Sequence, residues 1–291
     1  MQLILAFFLC LSCCCQIPVV TADENNENAE LLKESQPVIN STLVGDNQED
    51  VVVRVSDGQQ AKERQFPWHV RIKSVKDREA IYCGGSIISA DWILTSAHCT
   101  FGFEYLIITY GSIYFKKLPH KTASRRWIIH NGFRKRETHH DISLVRVRKP
   151  IIFSKDVQPI SIVRGDDTLT DFAGQKAIVI GFGASEKRRT WSSTLLYSIV
   201  RIISKKDCEN YFVQGMVGAD IICAQGYYSN TAGSCAGDSG GSLVMRKDDN
   251  SYVLIGITSF ESQFGCGQGI PTGYTLIGLY STWIRKMTGI P

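Results

Sequence analysis

From Val55 to the C-terminus the chain runs as short apolar clusters rich in Val, Ile, Tyr and Phe, separated by Gly, Asn, Asp and Ser. Trp68–Ile72, Gly85–Ile88, Tyr105–Tyr110, Ile142–Val147, Ala177–Ile180, Val253–Thr258 and Tyr274–Ile277 are each of strand length. Long stretches of 3.6-residue period are scarce, so the pattern predicts an all-β sandwich or barrel. The exception is Tyr280–Met287, where Trp283, Ile284 and Met287 fall on one face and predict a C-terminal helix. No internal repeat and no low-complexity stretch interrupts this part.

The first fifty residues have a different texture. Leu3 to Cys15 is one apolar run, too short to span a bilayer, followed by Pro18 and the small-residue pattern Val20-Thr21-Ala22. This predicts a secretory signal peptide over residues 1–22, cut after Ala22, although the usual positive charges at its start are missing. From Asp23 to Asp50 the chain is dominated by Asn, Glu, Gln and Ser, with no aromatic residue and no Cys. Such a composition buries too little apolar surface to order itself. Asn40-Ser41-Thr42 is an acceptor sequence for N-glycosylation. Beyond the first twenty positions no run approaches about 18 consecutive apolar residues, which excludes a polytopic membrane protein.

Charge divides along the same boundary. The whole chain carries 32 Lys and Arg against 28 Asp and Glu, a net +4. Residues 23–54 hold eight acidic and two basic side chains, which leaves 30 basic and 20 acidic on residues 55–291. Lys and Arg are dense between Lys116 and His140. A loop of that kind can bind heparin-like polyanions, but a solvated surface is the commoner explanation. The adjacent His139 and His140, with no nearby Cys or carboxylate pattern, read as surface residues rather than metal ligands.

Of ten cysteines, Cys10, Cys13, Cys14 and Cys15 would leave with the signal. Cys83, Cys99, Cys208, Cys223, Cys235 and Cys266 remain, an even number that predicts three disulfides in an exported chain. Six cysteines allow about 15 pairings, and spacing does not choose among them. None shows the Cys-x-x-Cys spacing of a zinc site.

Three segments carry candidate chemistry. Leu94-Thr-Ser-Ala-His98-Cys99 fixes a His beside a disulfide candidate, and His140-Asp141-Ile142-Ser143-Leu144-Val145 leads an Asp into a strand pattern. Cys235-Ala-Gly-Asp238-Ser239-Gly240-Gly241 sets a Ser in a glycine-rich turn whose N–H groups can converge. The first two are weak alone; the third is far more specific. Taken in the order His, Asp, Ser, they resemble the trypsin/chymotrypsin-like serine proteases. Gln65-Phe-Pro-Trp-His-Val70, Cys83-Gly-Gly-Ser-Ile-Ile88, Gly181-Phe-Gly183, Pro271-Thr-Gly-Tyr274 and Trp283-Ile284 extend the resemblance over essentially all of Val55–Pro291. The reduced cysteine set and the Phe at position 260 are similar to those of arthropod chymotrypsin-like and collagenolytic digestive proteases.

The resemblance implies two six-stranded antiparallel β-barrels with the active site between them, plus a C-terminal helix. It implies a catalytic triad of His98, Asp141 and Ser239, an oxyanion hole from the N–H groups of Gly237 and Ser239, and support of Asp141 by Ser259. It pairs the cysteines as Cys83–Cys99, Cys208–Cys223 and Cys235–Cys266. Residues 23–54 become an acidic propeptide. Cleavage after Arg54 would free the Val55 amine to pair with Asp238, and a cut at Arg64 would destroy that spacing. With no Cys in 23–54 the propeptide would be released. Ser56 departs from the family's usual Val.

Gly233 would form the floor of the specificity pocket, where trypsin-type selection requires Asp. Ser234, Phe260, Glu261 and Thr272 would form its walls, and Glu261 replaces the usual Gly at the rim. A carboxylate there could obstruct large apolar groups, attract a basic one, or turn into solvent. The implied preference is chymotrypsin/elastase-like. Paired Glu residues of the family's calcium loop do not follow Cys99, so no calcium or other cofactor is expected. Expected partners are protein or peptide substrates, an activating trypsin-like protease and protein protease inhibitors, with no nucleic acid, no membrane and a monomeric enzyme. The rival class is a catalytically silent secreted homologue acting as a binding or cofactor protein. Glu261 and Ser56 favour it; the presence of all three triad residues opposes it.

Overall fold

The computed structural model describes residues 58–117, 119–164, 172–185, 190–229, 238–262 and 268–290, all within one unit spanning Asp50–Pro291. Strands dominate. After β1 (Gln59–Gln60), the first half of the chain forms β2 (His69–Lys76), β3 (Glu79–Ile87), β4 (Trp92–Thr95), β5 (Tyr105–Tyr110), β6 (His120–Ser124), β7 (Trp127–Ile129) and β8 (Ser143–Arg146). The second half forms β9 (Ser161–Ile162), β10 (Lys176–Gly181), the β11–β12 hairpin (Ala184–Ser185 and Thr190–Trp191), β13 (Leu196–Ile203), β14 (Ile221–Gly226), β15 (Ser242–Arg246), β16 (Tyr252–Phe260) and β17 (Thr272–Leu276).

The first sheet runs in the order β6-β5-β2-β3-β4-β8-β7, every pairing antiparallel. β6 and β7 are two halves of a sixth strand broken at Arg125-Arg126. The buried Ser124 hydroxyl manages the break: it accepts from the Arg126 N–H at 3.0 Å and donates to Arg146 O at 2.6 Å. The second sheet closes fully, because β13 pairs with both β10 and β14 in the ring β13-β10-β15-β16-β17-β14. β1 extends it on β13, and β9 joins β16 in the one parallel pairing among the described strands. Closure leaves few unpaired edges, which is how an all-β chain avoids edge-to-edge association.

Burial alternates along the strands, as side chains point to opposite faces in turn. In β5, Leu106, Ile108 and Tyr110 are buried while Tyr105, Ile107 and Thr109 are half-exposed. In β13 the inward set is Leu196, Ser198, Val200 and Ile202. Leu106, Ile108, Tyr110, Val200 and Ile202 of these join Ile72, Ile87, Leu94, Leu144, Ile180, Leu243, Leu254 and Tyr274 in one core running through both barrels. Burying a single such side chain stabilises by about 1.5–3 kcal/mol.

The C-terminal helix predicted over Tyr280–Met287 is present as α2 (Ser281–Thr288), preceded by a 3-10 turn at Ile277–Tyr280. Ile284 is buried, and Trp283 and Met287 pack beside it. The helix stops at Gly289, whose left-handed φ of 71° lets its N–H reach Arg285 O at 2.8 Å. A five-residue helix, α1 (Lys205–Glu209), was not expected, since periodicity cannot show in so short a segment. Ser204 caps it by accepting from the Asp207 N–H. Cys208 of α1 is bonded to Cys223 of β14, and Cys83 of β3 to Cys99.

Candidate active site

The two barrels meet where three backbone segments come together. His98 follows β4 on a short turn fixed by the Cys83–Cys99 bond, Asp141 precedes β8, and Ser239 lies in a turn just before β15. The Ser239 carbonyl accepts from Gly84 N–H of β3 at 2.8 Å, so the second barrel's turn is tied to the first barrel's sheet. The turn itself is closed by Gly241 N–H to Asp238 O at 2.8 Å. Gly240 has a φ of 78°, and a Cβ there would lie 2.2 Å from Thr95 Oγ1. No other residue fits both that backbone and that space.

Asp141 is buried at 3% exposure, and its carboxylate makes three polar contacts. Its Oδ1 accepts the His98 backbone N–H at 2.9 Å. Its Oδ2 faces His98 Nδ1 at 2.7 Å and accepts the Ser259 hydroxyl at 2.7 Å. Thr275 Oγ1 donates to the Asp141 carbonyl at 3.0 Å. A carboxylate can only accept, so His98 carries its proton on Nδ1 and leaves Nε2 as a lone-pair acceptor. Burial pushes the His98 pKa down; the charge and hydrogen bond of Asp141 outweigh it, and the pKa is raised.

His98 Nε2 lies 3.6 Å from Cys99 Sγ, which in turn lies 3.7 Å from the Ser239 carbonyl oxygen. Cys99 of the disulfide thus touches both His98 and the Ser239 backbone. Among the described residues no hydrogen bond joins Ser239 Oγ to His98 Nε2, a contact that in such sites tightens when substrate is bound. Cys83, His98 and Cys99 also form a cluster of the size that holds a metal ion, but the two cysteines are bonded to each other and offer no thiolate.

The carboxylate next to the serine points the other way. Asp238 is buried over Gly181 and Gly183, and its Oδ1 accepts the Gly183 N–H at 2.7 Å. A Cβ on Gly181 would fall 1.8 Å from that same oxygen, so the glycines of Gly181-Phe-Gly183 make room for the carboxylate. Phe260 ends β16, edge-on to Phe212 at 5.0 Å and above Gly273 of β17. Thr272 is buried at the start of β17, and Glu261 is half-buried rather than turned fully into solvent. Gly233, Ser234, Cys235, Gly237, Cys266, Arg54, Val55 and Asn40 lie outside the described residues.

The comparisons with known proteins agree with this architecture. The sequence model of the trypsin family, described as trypsin, matches residues 55–284. The chain belongs to the trypsin family of serine endopeptidases. It is 30% identical to the collagenase of Hypoderma lineatum over 238 residues, covering 81% of this chain and 88% of that protein. Serine protease 1 of Drosophila melanogaster is 34% identical over 247 residues, covering 83% of this chain and 88% of the relative. The solved structure of the Hypoderma collagenase superposes with a TM-score of 0.73, covering 81% of this chain and 99% of that one. Mouse neuropsin superposes with a TM-score of 0.68 at 30% identity, covering 79% and 98%. No helix of the described residues is long and apolar enough to cross a membrane.

Two groups of this endopeptidase escaped the sequence. Thr275 binds the Asp141 carbonyl from 134 positions away, and Asp220 and Tyr280 meet His139 and His140 beside it. No local motif marks residues that far apart. His139 and His140, read from the sequence as surface residues, are partly buried against that cluster.

Proposed function

We propose that the protein is a secreted zymogen whose protease domain hydrolyses peptide bonds through Ser239, His98 and Asp141. The observation that carries this is the geometry around Asp141: three donors on one buried carboxylate orient His98 with its Nε2 lone pair free. In the reaction, Ser239 Oγ bonds to the scissile carbonyl carbon while its proton passes to His98 Nε2. The carbonyl electron pair moves to oxygen, where the N–H groups of Gly237 and Ser239 receive it. When the tetrahedral species collapses, the C–N bond breaks and His98 returns the proton to the leaving amine. Water then repeats the sequence on the acyl-enzyme, releasing the acid and restoring Ser239. Asp141 stays ionised throughout and stabilises the transient imidazolium.

Zymogen control belongs to the same proposal. The signal peptide is 1–22, the acidic propeptide 23–54 and the enzyme 55–291. Cleavage after Arg54 supplies a Val55 amine to Asp238, one residue before the nucleophile. A buried carboxylate gains greatly from a cationic partner, which makes the amine an effective switch. For specificity, Gly233 supplies no charge at the pocket floor, and the Phe260 ring at its wall favours apolar side chains of middling size. The test is to cut the chain with trypsin, verify Val55 as the new N-terminus, and profile cleavage on a peptide library with native collagen as a further substrate. Cleavage after apolar residues is expected. Dominant cleavage after Arg or Lys would overturn the specificity and point to Glu261 as its source.

A further inference from the structure

The two residues preceding Asp141 enter a second polar cluster that the catalytic reading does not use. Asp220, 8% exposed, receives the His140 backbone N–H on Oδ2 at 2.7 Å and the Tyr280 hydroxyl on the same oxygen at 2.8 Å. Its Oδ1 faces His139 Nδ1 at 2.9 Å. Because the Tyr280 proton goes to Asp220, the Tyr280 oxygen is the acceptor for His140 Nδ1–H, 2.8 Å away. The cluster joins the segment before Asp141 in the first barrel to Asp220, just ahead of β14, and to Tyr280, just ahead of α2.

His139 is the most constrained member. Its Nδ1 faces the Asp220 carboxylate and its Nε2 faces the Gly215 carbonyl at 2.9 Å. Both partners can only accept, so satisfying both requires a proton on each nitrogen, which is the imidazolium form. A Cβ on Gly218 would lie 2.2 Å from the His139 ring, so the glycine is what admits the ring to this position.

The backbone shows what the cluster holds. His140 has a φ of 54°, in the left-handed region that a non-glycine residue holds only when its surroundings fix it. Its N–H is spent on Asp220 and its carbonyl accepts the Ile142 N–H at 2.8 Å, so the chain folds tightly around Asp141. We propose that Asp220 and the doubly protonated His139 are positioning residues: they hold His140 in its left-handed conformation and thereby aim the Asp141 carboxylate at His98. The proposal rests on the catalytic roles assigned above.

The charge environment is consistent with this. Burial alone would raise the Asp220 carboxyl, but hydrogen bonds from His140 N–H, His139 and Tyr280 outweigh it and hold it below the ordinary carboxylate range. The hydrogen bond to Asp220 raises His139, with smaller help from the Gly215 carbonyl and from Glu137. Tyr280 is raised by burial, Asp220 and Asp141. His130, stacked on His140 at 4.8 Å, is lowered by burial and by that neighbour, against a smaller opposing pull from Asp220. The sign follows from the raised His139. Its contribution is complete below the ordinary histidine value of 6.5 and is lost as pH rises through its own higher value.

The test uses the full chain cut after Arg54, with Asp220→Asn and His139→Gln. In Asp220→Asn the His139 proton is lost together with the carboxylate charge, so the local net charge is unchanged and any effect is positional. We expect kcat to fall on the order of tenfold with KM within about twofold. The acid limb of kcat/KM should also move down towards the ordinary histidine range, because a displaced Asp141 no longer raises His98. A variant that loses thermal stability but keeps the parent's kcat and acid limb would overturn the proposal, since a purely structural role predicts that result. Should Asp220→Asn not fold, His139→Gln decides. It should lower kcat several-fold at neutral pH with KM little changed, and move the acid limb down as Asp220→Asn does. Superimposable profiles would refute the role of His139. An inactive parent would instead refute the catalytic assignment, so the two failures are distinct.

Discussion

His69 should make the fold acid-labile, by an amount that follows from its surroundings. It begins β2 with 6% exposure, its ring 5.6 Å from Phe182, and its Nδ1 is buried with no hydrogen-bond partner among the described residues. Burial lowers its pKa from 6.5 to about 4. A histidine whose folded pKa is depressed stays neutral in the native state while the unfolded chain takes up a proton. Stability is therefore unaffected above 6.5 and is lost as pH falls from 6.5 towards 4. Between pH ~7.5 and ~4.5 the linkage amounts to about 2.5 kcal/mol, a large share of the ~5–15 kcal/mol that holds a domain together. The perturbation is His69→Gln, which does not titrate. The assay is urea unfolding at the two pH values in a Ser239→Ala background, which prevents self-digestion. Whatever Gln costs in packing enters at both pH values and cancels in the difference. The variant should lose about 2.5 kcal/mol less than the parent across the interval. Equal losses would refute the claim that His69 is held neutral.

Other outcomes follow from the same contacts. Ser259→Ala removes one of the hydrogen bonds on Asp141, a charge-assisted bond worth about 1.5–3 kcal/mol; kcat should fall about tenfold with little change in KM, and steady-state kinetics on a peptide substrate reads this directly. The acid limb of kcat/KM in the parent should lie above 6.5, because activity needs neutral His98 and Asp141 raises its pKa; a limb at or below 6.5 would contradict the His98–Asp141 coupling. Replacing Cys208 and Cys223 together by Ser opens a link of sequence separation 15 and should cost about 3 kcal/mol in chemical denaturation.

The barrels were legible because short apolar runs such as Trp68–Ile72, Tyr105–Tyr110 and Ala177–Ile180 recur between turns of Gly, Asn and Asp. The broken strand at Arg125-Arg126 was not, since the break depends on a buried Ser124 hydroxyl reaching Arg146 across the sheet. The candidate triad stood out for a different reason. Its serine sits in a turn that only glycine can complete, and that requirement is written as Gly-Asp-Ser-Gly-Gly in five consecutive residues. Asp220 and Tyr280 left no such trace. Their importance comes from meeting His139 and His140 across the barrel interface, and a lone Asp or Tyr in a sequence does not say what it will face. His69 is similar: part of a motif recognisable as a first strand, yet its burial beside Phe182 of the other barrel appears only once the chain is folded.

Ser239 should become an activated nucleophile only once the chain is cut after Arg54. Treating the intact and the cut chain with a fluorophosphonate probe and locating the adduct by mass spectrometry tests this most directly. Stoichiometric labelling of Ser239 in the cut chain, strongly reduced in the intact chain and abolished by His98→Ala, is the predicted result. A cut chain with Val55 at its N-terminus that remains unlabelled at Ser239 would refute this activation and favour a secreted binding protein built on a protease fold.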